Sequence, residues 1–353
     1  MVQTGLITLG CLLLFLTTSA QDSLSSKRVK VLPVPAFGYS PETKTYVGAV
    51  AIFTLDLYQD TTTRSSNAKF EFNYTWLKQI IIESEWNYFF NKEEWFSQGL
   101  LHYSYFPDLY FGIGNRAADS SRTRFTSNRI KADISLLKQL EKHWFLGAGI
   151  RYFDYLNVTN NDTDNSFPEL TASRTFGLSL IAMQDKRNNI LSPSTGTYLR
   201  FSNTHNYSTG YYSSFTFDAR RYVSIGDRHK HTFAGRIYSQ HVFGNAPFYD
   251  LALLGGDRIA RGYYLGRFRD DNVSTLQLEY RTTLFWRLGV AFFGGCSAVY
   301  GQPGSDMNTL LKPNGGMGLR FLVDKKENTN LRFDFAVGTD KQTGFYVSFG
   351  ESF

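Results

Sequence analysis

Five arginines lie between Gly255 and Arg281, in a glycine-rich segment centred on the tripeptide Arg261-Gly262-Tyr263. A guanidinium that leaves water needs a carboxylate partner, and its planar fork binds one with a more defined geometry than a lysine ammonium does. Gly262 allows a tight turn or a close approach of the backbone to another surface. These residues predict charge pairing, in which the loop folds back over a polar surface.

Enzymatic chemistry has little support in the sequence. A catalytic nucleophile needs a base within hydrogen-bond reach, and the chain contains no P-loop, Gly-x-Ser-x-Gly or Cys-x-x-Cys motif. The acidic run Asp270-Asp271-Asn272 is more typical of a solvated loop end than of a calcium site. We therefore predict no enzyme, no catalytic residue, no cofactor and no metal. The six histidines belong to no motif: His102, His143, His205, His229, His231 and His241.

The first 20 residues have most features of a secretory signal peptide, although the usual positive charge before the apolar core is missing. The apolar core spans 6–16, and Thr18-Ser19-Ala20 supplies small residues before a predicted cleavage at Gln21. This core is too short to cross a bilayer. The segment is uncharged, so the formal net charge of +6 belongs to the remaining chain.

The basic residues of the remaining chain are spread singly, without the stripe that nucleic-acid binding requires. The pI near 9.1 therefore predicts a solvated surface and no nucleic-acid partner. Cys11 lies in the signal peptide, which leaves Cys296 without a disulfide partner.

Most of the chain alternates polar and apolar residues, as strands do when their two faces meet different media. Between 276 and 281, leucine and tyrosine alternate with Gln, Glu and Arg, and the pattern recurs at 46–57, 68–76, 129–136 and 331–337. About sixteen such segments, an even number, fit an all-β transmembrane antiparallel barrel. Soluble β-sandwiches also alternate, but charged polar faces and aromatic apolar faces favour a barrel with a wet lumen.

The last predicted strand indicates the outer membrane. Phe345, Val347, Phe349 and Phe353 fall on one face, and Gly350 falls on the other. An alternating strand that ends in phenylalanine resembles the sorting signal by which bacterial outer-membrane barrels are recognised for insertion. Together with the signal peptide, it predicts localisation in the outer membrane of a Gram-negative bacterium.

Four stretches in order resemble the BamA/TamA superfamily of outer-membrane assembly and secretion barrels, also called the bacterial surface antigen family. They are VPAFGYSPET at 34–43, DKRNN and PSTGTY within 185–198, the segment 254–281 with its RGY and EYR motifs, and the closing strands around 316–320, 331–334 and 349–353. The resemblance covers Val31 to Phe353. It implies that the loop before the twelfth strand folds into the lumen and docks its Arg-Gly-aromatic tip on acidic groups of the wall.

Glu279 and Asp334 are the predicted partners of Arg261, because both fall on the polar faces of their strands. The alternative is an extracellular loop with solvated arginines, since long loops are common on the outer side of such barrels. Family members often carry an acidic residue in the thirteenth strand, where this chain reads Ala291 to Cys296, with glycine at the expected position. Either the two acids hold the loop or its attachment is weaker.

Pro33 and Pro35 share one parity in the predicted first strand, so their missing N–H donors lie on the same edge. That edge faces either the second strand or the seam with the last strand. The family is thought to weaken this seam so that a client strand can pair there, and the prolines are candidates to weaken it here. The alternative is that 31–35 is a lead-in before strand pairing begins.

Family members that assemble or secrete proteins usually carry periplasmic POTRA domains before the barrel. Here only the short periplasmic lead-in 21–30 separates the predicted cleavage site from the barrel domain at 31–353. We therefore expect a barrel without POTRA domains, so that any client delivery depends on a partner.

Three functions stay open. The first is assembly, insertion or secretion of outer-membrane proteins; the second is a passive pore; the third is a structural or surface-interaction barrel. The expected partners are outer-membrane lipid, client outer-membrane proteins and assembly-machinery subunits, around a monomeric barrel.

Overall fold

The computed structural model describes residues 29–56, 58, 63–118, 122–162, 167, 169–226, 230–301, 311–325, 328–339 and 341–353. The predicted signal peptide (1–20) and most of the predicted lead-in (21–30) lie outside these residues.

Sixteen of the eighteen strands form one antiparallel sheet in which each strand pairs with the next along the chain. The other two, β12 and β13, form a separate hairpin inside the long connection between β11 and β14. The strands are β1 (Val29–Ser40), β2 (Lys44–Leu55), β3 (Ser66–Thr75), β4 (Ile80–Phe89), β5 (Trp95–Tyr110), β6 (Thr123–Glu141), β7 (Trp144–Asn160), β8 (Ser173–Asp185), β9 (Gly196–Tyr207), β10 (Tyr211–Ile225), β11 (His231–Gly244), β12 (Ala252–Leu254), β13 (Phe268–Asp270), β14 (Asn272–Phe285), β15 (Leu288–Tyr300), β16 (Leu311–Asp324), β17 (Thr329–Gly338) and β18 (Thr343–Phe349).

The alternation in the sequence sets the two faces of this sheet. In β14, Leu276 and Leu278 are 47% and 59% exposed, whereas Gln277, Glu279 and Arg281 are buried. Exposed apolar residues recur on the outward face from β1 to β18, because a strand presents every second side chain to one medium. An apolar exterior and a polar interior are typical of a barrel that sits in lipid. The prediction of an all-β antiparallel barrel of about sixteen strands is confirmed.

Turn lengths distinguish the two ends of the barrel. One end, the long-loop end, carries the connections 111–122, 161–172 and 245–271, whereas the opposite short-turn end includes the two-residue turns 142–143 and 286–287. Transmembrane barrels of bacteria have short periplasmic turns and longer extracellular loops. The start of β1 and the end of β18 both lie at the short-turn end.

Apolar clusters fill parts of the lumen. One cluster beneath β4 to β9 includes Phe89, Phe96 and Leu137. A second cluster packs the long connection between β11 and β14, here called the inward loop, against β14 and β15, and it includes Tyr263 and Phe268. Because the long connection brings its own apolar side chains inside, the lumen is packed around it and not an open channel lined only by polar groups.

The barrel has a seam between β1 and β18. The two strands lie side by side, and the ring centroids of Tyr39 and Phe345 are 6.4 Å apart. Every other pair of neighbouring barrel strands is joined by a hydrogen-bonded ladder, but these two, both fully described, are not. The seam is therefore the least bonded junction of the sheet.

Two details of the strand predictions are wrong. Pairing begins at Val29, opposite Leu55, and continues through Pro33 and Pro35, so 31–35 is part of the first strand and not a lead-in. β18 ends at Phe349, and Gly350 then adopts a φ of +77° that turns the chain. Phe353 consequently lies inside the lumen with 3% exposure and does not share the outward face of Phe345.

Helical structure is short. The long connection contains α1 (Gly256–Ile259), and a 3₁₀ turn spans Asn91–Glu93. Within the described part of the chain, no helix is long and apolar enough to cross a membrane.

Candidate functional site

The connection between β11 and β14 enters the barrel from the long-loop end. β12 and β13 pair from Ala252 with Asp270 to Leu254 with Phe268, which holds the two arms of the loop together. The tip between them reaches the wall, where Arg261 is 1% exposed and Tyr263 is fully buried. The loop that precedes the twelfth barrel strand therefore lies in the lumen, and its tip arginine is not solvated.

Arg261 lies between two carboxylates of the inner wall. Its Nη1 donates to Asp334 Oδ2 at 2.6 Å, and its Nη2 donates to Glu279 Oε2. The two acids project from β17 and β14 and are both buried. A guanidinium can bridge two strands in this way because its donors form a rigid plane, whereas an ammonium is a point charge. Loss of one partner of such a buried pair typically costs about 3–5 kcal/mol.

The strand that lacks the expected acid contributes an aromatic ring instead. Phe293 of β15 is paired with Glu279 in the β14–β15 ladder and projects into the lumen. The Arg261 guanidinium carbon lies 3.4 Å from its ring centroid, within the range of a cation–π interaction. The loop attachment thus combines two carboxylates with an aromatic face.

Three further arginines surround the two acids, from β14, β16 and β17. Arg320 is the most connected, since it donates to Asp334 Oδ1 at 2.6 Å and to Glu351 Oε2 at 2.8 Å. Four guanidinium groups face four carboxylates, so the cluster is formally neutral, as burial of charge requires. Its members are Arg261, Arg281, Arg320 and Arg332 with Asp257, Glu279, Asp334 and Glu351.

The two residues after Arg261 make contacts that depend on their being glycine and tyrosine. Gly262 has a φ of +105°, and a Cβ there would lie 2.8 Å from the Val337 carbonyl carbon. Its N–H donates to the Tyr346 hydroxyl of β18 at 3.0 Å. The Tyr263 hydroxyl donates to the Pro313 carbonyl oxygen at 2.7 Å. The tip is therefore fixed to the wall by backbone and side chain together.

A second set of contacts holds the loop nearer the long-loop end. The Tyr264 hydroxyl donates to Asp108 Oδ1 at 2.6 Å, and Arg129 donates to the other oxygen of the same carboxylate at 2.6 Å. Gly114 forms an isolated β-bridge with Arg269 of β13. These contacts join the loop to β5 and β6, on the wall opposite its tip.

The turn between β1 and β2 also contacts the loop. Glu42 accepts a hydrogen bond from the Leu265 N–H at 2.6 Å. Burial raises the pKa of Glu42 from about 4.5 to about 7, and the negative charge of Asp257 acts in the same direction. The Leu265 N–H and the Ser40 hydroxyl only partly oppose this effect.

The chain after β18 lies in the short-turn mouth of the lumen. The Glu351 N–H donates to the Leu191 carbonyl oxygen at 2.8 Å, and the Ser352 hydroxyl donates to the Asp257 carbonyl oxygen of α1 at 2.7 Å. Arg281 donates to the main-chain oxygens of Phe353 and Pro193, each at 3.0 Å. The connection 186–195 between β8 and β9, the inward loop and residues 350–353 therefore meet at one place.

Among the described residues, cavities of 380 and 510 Å³ lie in the lumen, and both are lined by Asp257 and Arg258 of α1. The smaller one is also lined by 34–37 of β1 and 347–349 of β18. The seam therefore backs onto space inside the barrel.

The structure brings together three of the predicted site residues, Arg261, Glu279 and Asp334, and places Gly262 and Tyr263 beside them. Pro33, Pro35, Phe345 and Phe349 lie on the seam strands, and Gly350 ends the last one. Phe293, Arg320 and Arg332 also belong to the site and were not predicted from the sequence. Their lumen-facing parity was a usable signal, but parity alone does not show which side chains meet across strands. No group of three or more metal-binding side chains occurs among the described residues.

An apolar exterior, a charged inner wall and an inward loop before the twelfth strand define a transmembrane β-barrel whose lumen is occupied by its own chain. The chain belongs to the Omp85 superfamily, whose domain profile matches residues 53–353. This confirms the family resemblance that the motifs indicated.

Solved structures share the fold at low sequence identity. BamA from Haemophilus ducreyi lacking POTRA domains 1–3 is 14% identical, with a TM-score of 0.57, over 92% of this chain and 70% of that one. CdiB from Acinetobacter baumannii is 12% identical (TM-score 0.62; 91% and 60% covered), and CdiB from Escherichia coli is 12% identical (TM-score 0.60; 92% and 63% covered). This chain thus spans less than two thirds of either CdiB chain. No curated protein sequence matches it.

We predict that Gly262→Ala loosens the loop tip, because the left-handed backbone alone costs about 1–2 kcal/mol for a residue with a Cβ and the Val337 backbone leaves no space. Hydrogen exchange of the segment 256–266 should accelerate at least tenfold. The matched control is Gly210→Ala, where a Cβ would meet no atom within 4 Å. Equal exchange in the two variants would contradict the structural role of Gly262.

The contact between Glu42 and the loop should weaken as the pH rises from about 4.5 through about 7. A docked Glu42 retains its proton up to about pH 7, whereas a solvated carboxyl loses it near its ordinary value, so rising pH favours the undocked loop. Exchange of the Leu265 amide, corrected for intrinsic rate, should increase over this range. Glu42→Gln cannot titrate and should abolish the change; if it persists in that variant, Glu42 is not its cause.

Deletion of Gly256 to Asp270 should raise the single-channel conductance of the barrel severalfold, because this segment occupies the middle of the lumen. Planar bilayer recordings of the intact chain and the deletion variant measure the effect. An unchanged conductance, with a barrel of normal gel mobility, would show that the loop does not obstruct the lumen.

Proposed function

We propose that this barrel helps to insert, assemble or export proteins at the outer membrane of a Gram-negative bacterium, and that it acts as a non-enzymatic scaffold. The observation that carries the proposal is the seam between β1 and β18, where neighbouring strands lie together without a ladder. Membership of the Omp85 superfamily and the fold shared with BamA and CdiB support it.

The seam is suited to this role for a physical reason. Lipid offers no hydrogen-bond partners, so backbone groups at membrane depth must be paired within protein. A junction with unpaired groups is energetically costly, and an added strand that supplies donors and acceptors relieves the cost. Through the same backbone hydrogen bonds, a client strand would pair at the seam and then pass sideways into the lipid.

The interior favours this sideways route over passage along the axis. The loop tip is bound to β14 and β17 through buried ion pairs, and residues 350–353 lie across the short-turn mouth. A passive pore is the second candidate function. It ranks second because passage of solutes along the axis requires these contacts to be displaced.

Three further parts of the proposal complete this picture. The leader is cleaved after Ala20, the barrel acts as a single copy in outer-membrane lipid, and clients reach it through a partner subunit.

Locking the seam should abolish the function. A disulfide between cysteines introduced by Tyr39→Cys and Phe345→Cys, whose rings are neighbours in the native chain, would hold β1 against β18. In a Cys296→Ser background, oxidised cells should lose unrelated outer-membrane barrels to the same extent as cells depleted of the protein, and a reductant should restore them. Quantitative proteomics of outer-membrane fractions measures this.

The matched control is a disulfide across a laddered pair, Phe217→Cys with Ser239→Cys, which should have no effect. If depletion leaves all other barrels at their normal levels, a general assembly role is wrong. If depletion has an effect and the seam disulfide has none, the protein assembles clients without seam opening.

A further inference from the structure

The inner wall formed by β8 to β11 carries more positive charge than its acids compensate. Arg220 and Arg236 share one carboxylate, since their Nη2 atoms lie 2.6 and 2.9 Å from Asp218 Oδ2. Within the described part of the chain, Arg200 donates only to a neutral group, the Gln98 Oε1, at 2.7 Å. The arginines of this wall and the groups paired with them amount to five guanidiniums and three carboxylates, an excess of two positive charges. They are Arg64, Arg187, Arg200, Arg220 and Arg236 with Glu93, Asp185 and Asp218.

Two of these arginines have donors without a partner. The guanidinium carbons of Arg187 and Arg220 lie 4.3 and 4.9 Å from the centroid of the Tyr198 ring, so two like charges lie against one side chain. Each arginine binds its aspartate through Nε and Nη2, and neither Nη1 makes a hydrogen bond to any described residue. Charge that is buried beyond its compensation is costly, so this wall favours an added anion.

The facing wall has the opposite sign. β3 and β10 are the third and tenth strands of sixteen, so they lie on nearly opposite sides of the barrel. Lys69 of β3 is shared by three carboxylates, at 2.9, 3.4 and 3.9 Å. One ammonium, one guanidinium and one imidazole, counted as neutral, thus face three acids, which leaves one negative charge uncompensated. The group comprises Lys69, Arg258 and His102 with Glu71, Glu83 and Glu85.

The 380 Å³ cavity lies between these two walls. Its volume is within the range of about 300–1,000 Å³ that is usual for small-molecule sites. Apolar side chains, among them Val50, Ile52 and Ile190, complete the lining. One side of the cavity therefore favours an anionic group and the other a cationic group. The charged side chains that line it from the two walls are Arg187, Arg220 and Arg236 on one side, and Lys69, Glu71 and Glu85 on the other.

We infer that this cavity binds a small zwitterion, a molecule that carries an ammonium group and a phosphate or carboxylate group. The anionic group accepts hydrogen bonds from the unpartnered Nη1 atoms of Arg187 and Arg220, because a guanidinium binds oxyanions in a defined geometry. The ammonium group lies against Glu71 and Glu85. The opposite charge of the two walls fixes the orientation of the ligand, and this binding goes beyond the proposed function.

The probe for this site is phosphoethanolamine, added to the full protein in an uncharged detergent at neutral pH and low salt. Isothermal titration calorimetry should show one molecule bound per barrel. Inorganic phosphate and ethanolamine, each titrated alone, should bind at least about tenfold more weakly, because each loses the charge-assisted hydrogen bonds of one wall.

Two variants test the two walls separately. Arg220→Gln should weaken phosphoethanolamine binding at least about tenfold, while Asp218 keeps its ion pair with Arg236. Glu71→Gln should weaken phosphoethanolamine binding and leave phosphate binding unchanged, since phosphate has no ammonium group. The control is Arg151→Gln, a lumen arginine with its own ion pair that does not line the cavity; it should change neither affinity. Gel mobility of unheated samples verifies that each variant forms a barrel.

Competition distinguishes a lipid headgroup from a free solute. If lyso-phosphatidylethanolamine displaces the probe at lower concentrations than unlabelled phosphoethanolamine does, the ligand is a headgroup whose acyl chain uses the apolar lining; if it does not displace the probe, the ligand is a free zwitterion. Both results sustain the site. No binding at millimolar concentrations, phosphate that binds as tightly as phosphoethanolamine, or an affinity unchanged by Arg220→Gln would each overturn the inference, and none of these outcomes bears on the proposed function.

Discussion

Backbone hydrogen bonding in lipid is the constraint on which the rest of this structure depends. Hydrocarbon cannot replace water as a partner, so each strand must bond to a strand on both sides. Fifteen junctions of the barrel satisfy this requirement by ladders. The remaining junction, between β1 and β18, does not.

The charge cluster in the lumen solves a different problem, which is how to keep a long loop inside a barrel. Buried charge is tolerated only when it is compensated, and the cluster of four arginines, Arg261 among them, and four acids meets that condition. Such a cluster stabilises little relative to apolar packing, but it is specific, because one misplaced member leaves a charge unpaired. The ring of Phe293 and the close backbone approach at Gly262 add steric constraints on the position of the loop tip, which charge pairing alone does not provide.

Much of the fold could be predicted from the sequence because period-two alternation reports directly on a wall between two media. Alternation alone predicts that Leu276 faces outward and Gln277 faces inward, without any knowledge of the neighbouring strands. The same parity selected Glu279 and Asp334 for Arg261. It could not select Arg320 or Phe293, because those contacts depend on the register across β14 to β17. Parity also could not predict the inward turn of Phe353. Gly350 ends the strand, and hydrogen bonds with Arg281 and Leu191 then hold the following residues.

The two seam strands are fastened to the rest of the barrel by different kinds of contact. β18 is laddered to β17, and its Tyr346 hydroxyl accepts the N–H of Gly262 at the loop tip, so it is fastened to the buried charge cluster. β1 is laddered to β2, and its further contacts are made by peripheral groups: the Tyr46 hydroxyl, Glu42 in the turn, and an ion pair of Lys30 with Asp324. An exposed ion pair contributes little. Beyond its ladder, β18 is therefore fastened to the buried loop tip, whereas the contacts that β1 and its turn make beyond their ladder are peripheral, so the loop that fills the lumen also holds the last strand in place.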